Sequence, residues 1–118
     1  MEVKNGLIIK KKWAEKILNN EKSWEIRGQR TIKRGTIGII ISGTKKIYGT
    51  CELYDCIGPL SIQEMLDNEN KHLIKQKYLL EEGMPYKKTY TWCMRNAKYY
   101  DEPIEYEHPL GAIIWVKL

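Results

Sequence analysis

Apolar positions along the chain change period several times, and each change predicts an element. Leu7-Ile8-Ile9, after Gly6, is a short continuous apolar run and predicts a buried strand. Trp13, Ala14, Ile17 and Leu18 then recur at helical spacing, with Lys12, Glu15, Lys16 and Asn19 on the other side, so an amphipathic helix of two or three turns follows. From Ser23 the period falls to two: Trp24 and Ile26 face one way, and Ser23, Glu25 and Arg27 the other. Thr36 to Ser42 reads as a strand buried on both faces. Ser42-Gly43-Thr44-Lys45-Lys46 turns the chain into a second strand, roughly Ile47 to Cys56, which makes the pair an antiparallel hairpin at the centre of the fold.

The second half carries the clearest local signal. Ser61 and Glu64 have capping-box spacing, with Leu60 and Met65 placed as the accompanying hydrophobic staple, so a helix starts there. Leu73, Ile74, Tyr78 and Leu79 predict that helix resumes and runs to Gly83, ahead of Pro85. Tyr90, Trp92 and Met94 alternate with Thr91, Cys93 and Arg95, the pattern of a half-buried strand. A last strand is expected over Gly111 to Val116, separated from it by Pro103 and Pro109. Five or six short strands, mostly antiparallel, with helices at two insertions predict an α+β fold: a compact mixed β-barrel flanked by helices, not a doubly wound sheet. One domain over residues 1–118 is expected, because the chain is too short for a second.

Composition narrows the class. Hydrophobic residues make up 42% and charged residues 30%, the balance of a globular rather than a disordered chain. Phe is absent, so four Trp and eight Tyr carry the aromatic burial, and each has a polar atom that needs a partner or a ligand. Twenty Lys and Arg against fifteen Asp and Glu leave a charge of +5, which favours polyanions without deciding for nucleic acid. Cys51, Cys56 and Cys93 are odd in number and lie in apolar or strand-like stretches, so they read as buried thiols of a reducing compartment. Cys51 and Cys56 lack a second pair, and neither His72 nor His108 completes zinc-ligand spacing, so no metal and no cofactor are expected. No apolar run nears the roughly 20 residues of a membrane span and charged residues begin at once, which predicts a cytoplasmic protein.

The stretch NEKSWEIR, Asn20 to Arg27, concentrates the candidate chemistry. Glu25 and Arg27 share one strand face, just after a helix carrying Trp13 and a turn carrying Lys22. An acid, two bases and an indole thus meet in one neighbourhood. Arginine offers a planar fork of donors to phosphate or to a base edge, and indole offers a stacking face. A desolvated Lys22 would have a lowered pKa and could take a proton from a reacting group. The same spacing also describes solvated charge on an exposed strand, so spacing alone leaves both readings open. Arg30, Lys33 and Arg34, with Lys45 and Lys46 in the hairpin turn, would extend a positive surface past Arg27 if the two loops lie together, or would form an ordinary solvent face. Trp24 and Trp92 are expected in the core, and His108, between Glu107 and Pro109, in a structural hydrogen bond.

Lys22-x-x-Glu25-x-Arg27, preceded by Trp13-x-x-x-Ile17 and followed by Ile39-Ile40-Ile41-Ser42-Gly43, resembles the ASCH domain (activating-signal-cointegrator homology), a family related to the small PUA β-barrel. Gly49, Glu52, Asp55 to Leu60, Trp92 and the Pro103 to Val116 segment extend the resemblance over essentially the whole chain and are similar to a bacterial single-domain branch. The resemblance implies a pocket beside the first helix that receives RNA or a nucleotide, with Lys22, Glu25 and Arg27 as its charged wall and Trp13 and Ser42 as neighbours. It also implies two enzymatic alternatives with Lys22 as base. One ASCH-like branch removes the acetyl group from N4-acetylcytidine with the motif lysine as base and a threonine three residues on as nucleophile. Here that position is Glu25, which cannot form an alkoxide, although Ser23 supplies a hydroxyl nearby and Glu25 could serve as a base for water. Other members are ribonucleases, a reaction that needs a base, an acid and positive charge at the phosphate, roles that the resemblance would give to Lys22, Glu25 and Arg27.

Overall fold

The computed structural model describes residues 3–118. Its six strands form one sheet: β1 (Asn5–Ile9), β2 (Trp24–Arg27), β3 (Gly35–Ile41), β4 (Lys46–Ile57), β5 (Tyr90–Glu105) and β6 (Trp115–Lys117). Their spatial order is β2-β5-β4-β3-β1-β6, with β1 and β3 parallel and every other neighbour antiparallel. The sheet is curled into a half-barrel, as two contacts between strands far apart in this order show. The Trp92 ring of β5 stacks on Trp115 of β6 at 5.7 Å. Arg27, on the edge strand β2, donates from Nη2 to the Ile8 carbonyl of β1 at 3.1 Å.

The expected central hairpin is β3–β4, paired from Gly35 opposite Leu53 to Ile40 opposite Ile47, with a shift of register between Ile39 and Ile40. Helix α1 (Lys11–Leu18) buries Ala14, Ile17 and Leu18 in the barrel core beside Leu7, Ile9 and Ile39. Gly49 permits that packing: a Cβ there would lie 2.2 Å from the Lys98 carbonyl oxygen and 2.8 Å from a Leu18 methyl. A second cluster lies on the other face of β2 and β5, where α2 (Ile62–Asp67) and α4 (Gln76–Glu82) bring Met65 and Leu79 onto Trp24, Ile26 and Cys93. The capping box forms as expected: Ser61 Oγ accepts from the Glu64 amide at 3.1 Å, and Glu64 Oε1 from the Ser61 amide at 2.9 Å.

Four expectations need correction. Tyr90 to Met94 is buried on both faces, because β5 lies between β2 and β4 with the barrel core on one side and the α2–α4 cluster on the other. Pro103 does not end that strand. It lies within β5, in the part beyond the β2 pairing, where one edge has no neighbour to receive an amide. Gly111 to Ile114 is turn and loop, and only Trp115–Lys117 pairs with β1. The helix after α2 is broken: α3 (Glu69–His72) stops at Leu73, whose φ of 64° ends the α-helical path, and α4 starts at Gln76.

Trp24 and Trp92 are core residues, at 8% and 0% exposure. His108 accepts from the Tyr106 hydroxyl at one ring nitrogen or donates to it, at 2.7 Å, and its Nε2 meets the Ala112 carbonyl at 3.0 Å, so both ring nitrogens are engaged. Cys51 and Cys93 are buried free thiols and Cys56 is half-buried. Among the described residues no helix is long and apolar enough to cross a membrane.

Candidate functional site

The curl of the sheet leaves a cavity of about 360 Å³ between α1, the β2 edge and the segment before β5. Trp13, Lys22, Glu25, Arg27 and Ser42 all line it, so five of the residues singled out from the sequence lie around one hollow. Lys45 does not reach it. It lines an adjoining cavity of about 260 Å³ that also contains Ser42. Lys46 lines neither cavity and stands opposite Glu105 in the β4–β5 register. Arg30, Lys33 and Arg34 also stay out of the first cavity. Arg30 bonds the Gly58 carbonyl, Arg34 the Thr31 and Lys33 carbonyls, and the Lys33 ammonium lies 5.3 Å from the Trp115 ring centroid.

Lys22 is the deepest charge, its side chain only 1% exposed. Its Nζ donates to the His72 carbonyl at 2.6 Å, lies 4.0 Å from Glu25 Oε1 and stands 4.4 Å from the centroid of the Trp13 ring. Burial lowers its pKa from the ordinary 10.5 to about 8; Glu25 acts against that shift, and Arg27 and Lys12 add to it. The carbonyl that receives this ammonium is itself fixed by the His72 ring. Nδ1 accepts from the Ile74 amide at 2.9 Å, which leaves Nε2 to donate to the Met65 carbonyl at 2.6 Å. That arrangement is the neutral imidazole, and burial holds the His72 pKa below its usual value accordingly.

Glu25 is 5% exposed. Its Oε2 accepts from Arg27 Nε at 2.9 Å and lies 2.8 Å from Arg27 Nη2. The same Nη2 closes the barrel seam onto Ile8, so Arg27 is partly structural. Two groups are left over: among the described residues neither Glu25 Oε1 nor Arg27 Nη1 has a hydrogen-bond partner, and neither is sealed from solvent. An acceptor and a donor thus stand together in the hollow, the set a base edge requires.

The Trp13 ring is less free than expected, since the Lys22 ammonium and that of Lys12, at 4.6 Å, lie over it. The accessible aromatic surface is Tyr86, 44% exposed on the cavity wall beside Pro85. Its ring leans on Gly28, where a Cβ would come within 2.7 Å of Tyr86 Cδ1. Nothing in the periodicity marked Tyr86, His72 or Lys10, which also lines the hollow. Tyr86 lies in a loop, and His72 acts through its backbone. The one available hint was Gly28, directly after the charged strand, where a missing side chain allows close approach.

A half-barrel of mixed sheet with helices at two insertions, carrying a charged hollow at its seam, defines the class. The ASCH domain family model matches residues 7–109, and the chain belongs to that family, a PUA-like family associated with RNA binding. The fold is similar to three crystal structures of an ASCH protein from Zymomonas mobilis. A tyrosine-to-phenylalanine mutant has 13% identity and a TM-score of 0.71, with 99% of this chain and 91% of that one covered. A serine-to-alanine mutant has 13% identity and a TM-score of 0.70, covering 97% and 87%. A third, described as ASCH, has 12% identity and a TM-score of 0.71, covering 97% and 86%. Among curated proteins the sequence finds no match.

Proposed function

We propose that the cavity beside α1 binds one nucleotide, free or within an RNA. The observation that carries this reading is a pair of groups without a hydrogen-bond partner among the described residues, Glu25 Oε1, which keeps only a 4.0 Å ion pair to Lys22, and Arg27 Nη1, on two residues that line a hollow of about 360 Å³ with Tyr86 on its wall. In this reading the base edge gives a donor to the carboxylate and takes one from the guanidinium, and its face lies on Tyr86. Lys10 and the Ser42 hydroxyl, both on the cavity wall, face the phosphate. The Lys22 ammonium, 4.0 Å from Glu25 Oε1, helps hold the carboxylate in place. Binding of a labelled short single-stranded RNA, followed by fluorescence anisotropy, tests it. Affinity should fall with salt by a log–log slope of about 0.7 per phosphate contacted. Tyr86→Ala should cost about 1 to 3 kcal/mol, with Tyr86→Phe close to wild type, and Glu25→Gln should weaken binding as well. No binding at low salt, or affinities untouched by both Tyr86→Ala and Glu25→Gln, defeats the reading.

One observation favours a hydrolase as the second reading: with its pKa lowered to about 8, Lys22 is partly neutral at mildly alkaline pH and can act as a general base. Cleavage of a labelled RNA, or release of acetate from acetylated cytidine, should then rise with pH through about 8 and disappear in Lys22→Met. Activity that survives that substitution excludes Lys22 as the base.

A further inference from the structure

The second cavity shares Ile8, Ser42 and Ile113 with the first, so the two lie end to end across one ridge. Ile113, 79% exposed, and the half-buried Tyr106 supply apolar and aromatic surface in it, and Lys45 supplies its one ammonium. The Ser42 hydroxyl on the ridge has no hydrogen-bond partner among the described residues, and the residue is exposed. The His108 ring is fully engaged with Tyr106 and Ala112, so the wall is set and the free polar groups are those of Ser42 and Lys45.

We infer that the ligand is a single-stranded oligonucleotide of at least two nucleotides, with a second subsite in this adjoining cavity. The inference rests on the reading of the first cavity as a nucleotide site. One base occupies the hollow at Glu25 and Arg27. The phosphodiester crosses the ridge, where the Ser42 hydroxyl and the Lys45 ammonium hold it, and the next sugar and base lie against Ile113 and Tyr106. The reason is physical: a single nucleoside leaves the second hollow and its lysine unused, whereas a linked pair covers apolar wall and neutralises a cation together. Lys45 takes a φ of 57° at the hairpin tip, so the turn that closes β3 onto β4 is also what brings this ammonium to the ridge.

The test compares a ribonucleoside with the corresponding ribodinucleotide by titration calorimetry on wild type, Lys45→Gln and Glu25→Gln. The dinucleotide should bind about tenfold tighter than the nucleoside. Lys45→Gln should remove most of that gain and lower the dinucleotide's salt slope by about 0.7, while nucleoside affinity stays put. Lys45 is exposed, so its replacement does not threaten folding. Equal binding of the two ligands, both lost in Glu25→Gln, would overturn the second subsite and leave the first. A Lys45→Gln effect of equal size on both ligands would also overturn it, as it would mean long-range attraction only. Failure of both ligands to bind wild type would overturn the two readings together.

Discussion

Lys22→Met replaces a buried ammonium with an apolar chain of similar length, and its effect depends on pH in a way the structure fixes. The lysine pKa drops from 10.5 to about 8 on folding, chiefly through burial. At 1.36 kcal/mol per tenfold, carrying that charge in the folded state costs about 3 kcal/mol wherever both states are protonated, below pH 8. Between pH 8 and 10.5 the unfolded chain holds the proton more than the folded one does, so the Lys22 contribution makes the protein more stable as pH rises. The buried thiols act in the opposite direction. Burial pushes Cys51 to about 12 and Cys93 to about 11, so ionisation of the unfolded thiols above their ordinary 9.0 lowers stability. Both proteins keep these cysteines, and the difference between them isolates Lys22. The assay is urea unfolding of wild type and Lys22→Met at pH 7, 8 and 9. Wild-type stability minus variant stability should grow by about 1 kcal/mol from pH 7 to 9. At pH 7 the variant should not be severely destabilised, because the charge it removes offsets the unmet His72 carbonyl it leaves behind. A difference that stays flat with pH would refute the claim that the ammonium is held against its own desolvation.

Three further outcomes follow from the same geometry. Arg27→Met removes the bridge from β2 to Ile8 and leaves Glu25 without its closest cation; a loss of about 2 to 3 kcal/mol is expected in urea unfolding, with faster amide exchange in β2. Ser61→Ala deletes half of the capping box and should lower stability by about 1 kcal/mol, with unchanged far-ultraviolet dichroism. Because the folded His72 pKa lies below 6.5, the unfolded state binds the extra proton first, and stability should fall as pH drops below about 6.5. His72→Gln should flatten that part of the profile in thermal unfolding.

Much of this site was readable because its residues sit on regular elements. The period of two in Trp24-Glu25-Ile26-Arg27 placed the acid and the guanidinium on one strand face, and that is where they lie. The helical spacing of Trp13, Ala14, Ile17 and Leu18 likewise put the indole beside them. Periodicity does not say what stands opposite a strand face. That both faces of β2 and β5 are covered depends on α2 and α4 arriving from the long β4–β5 connection, a tertiary fact absent from any local window. Tyr86 and the His72 carbonyl were invisible for a related reason, being placed by loops whose conformation neighbouring elements determine. The hairpin lysines looked equivalent, yet they part company at the turn: Lys45 reaches the ridge and Lys46 enters the ladder opposite Glu105.

Two-dimensional NMR of the labelled protein titrated with a nucleoside monophosphate addresses the nucleotide site most directly. The Arg27 Nε–H, the Trp13 indole N–H and the Tyr86 ring signals should move together and saturate with one affinity. Movement confined to Arg30, Lys33 and Arg34 while those three signals stay still would contradict it, and would leave the hollow at the barrel seam without a ligand.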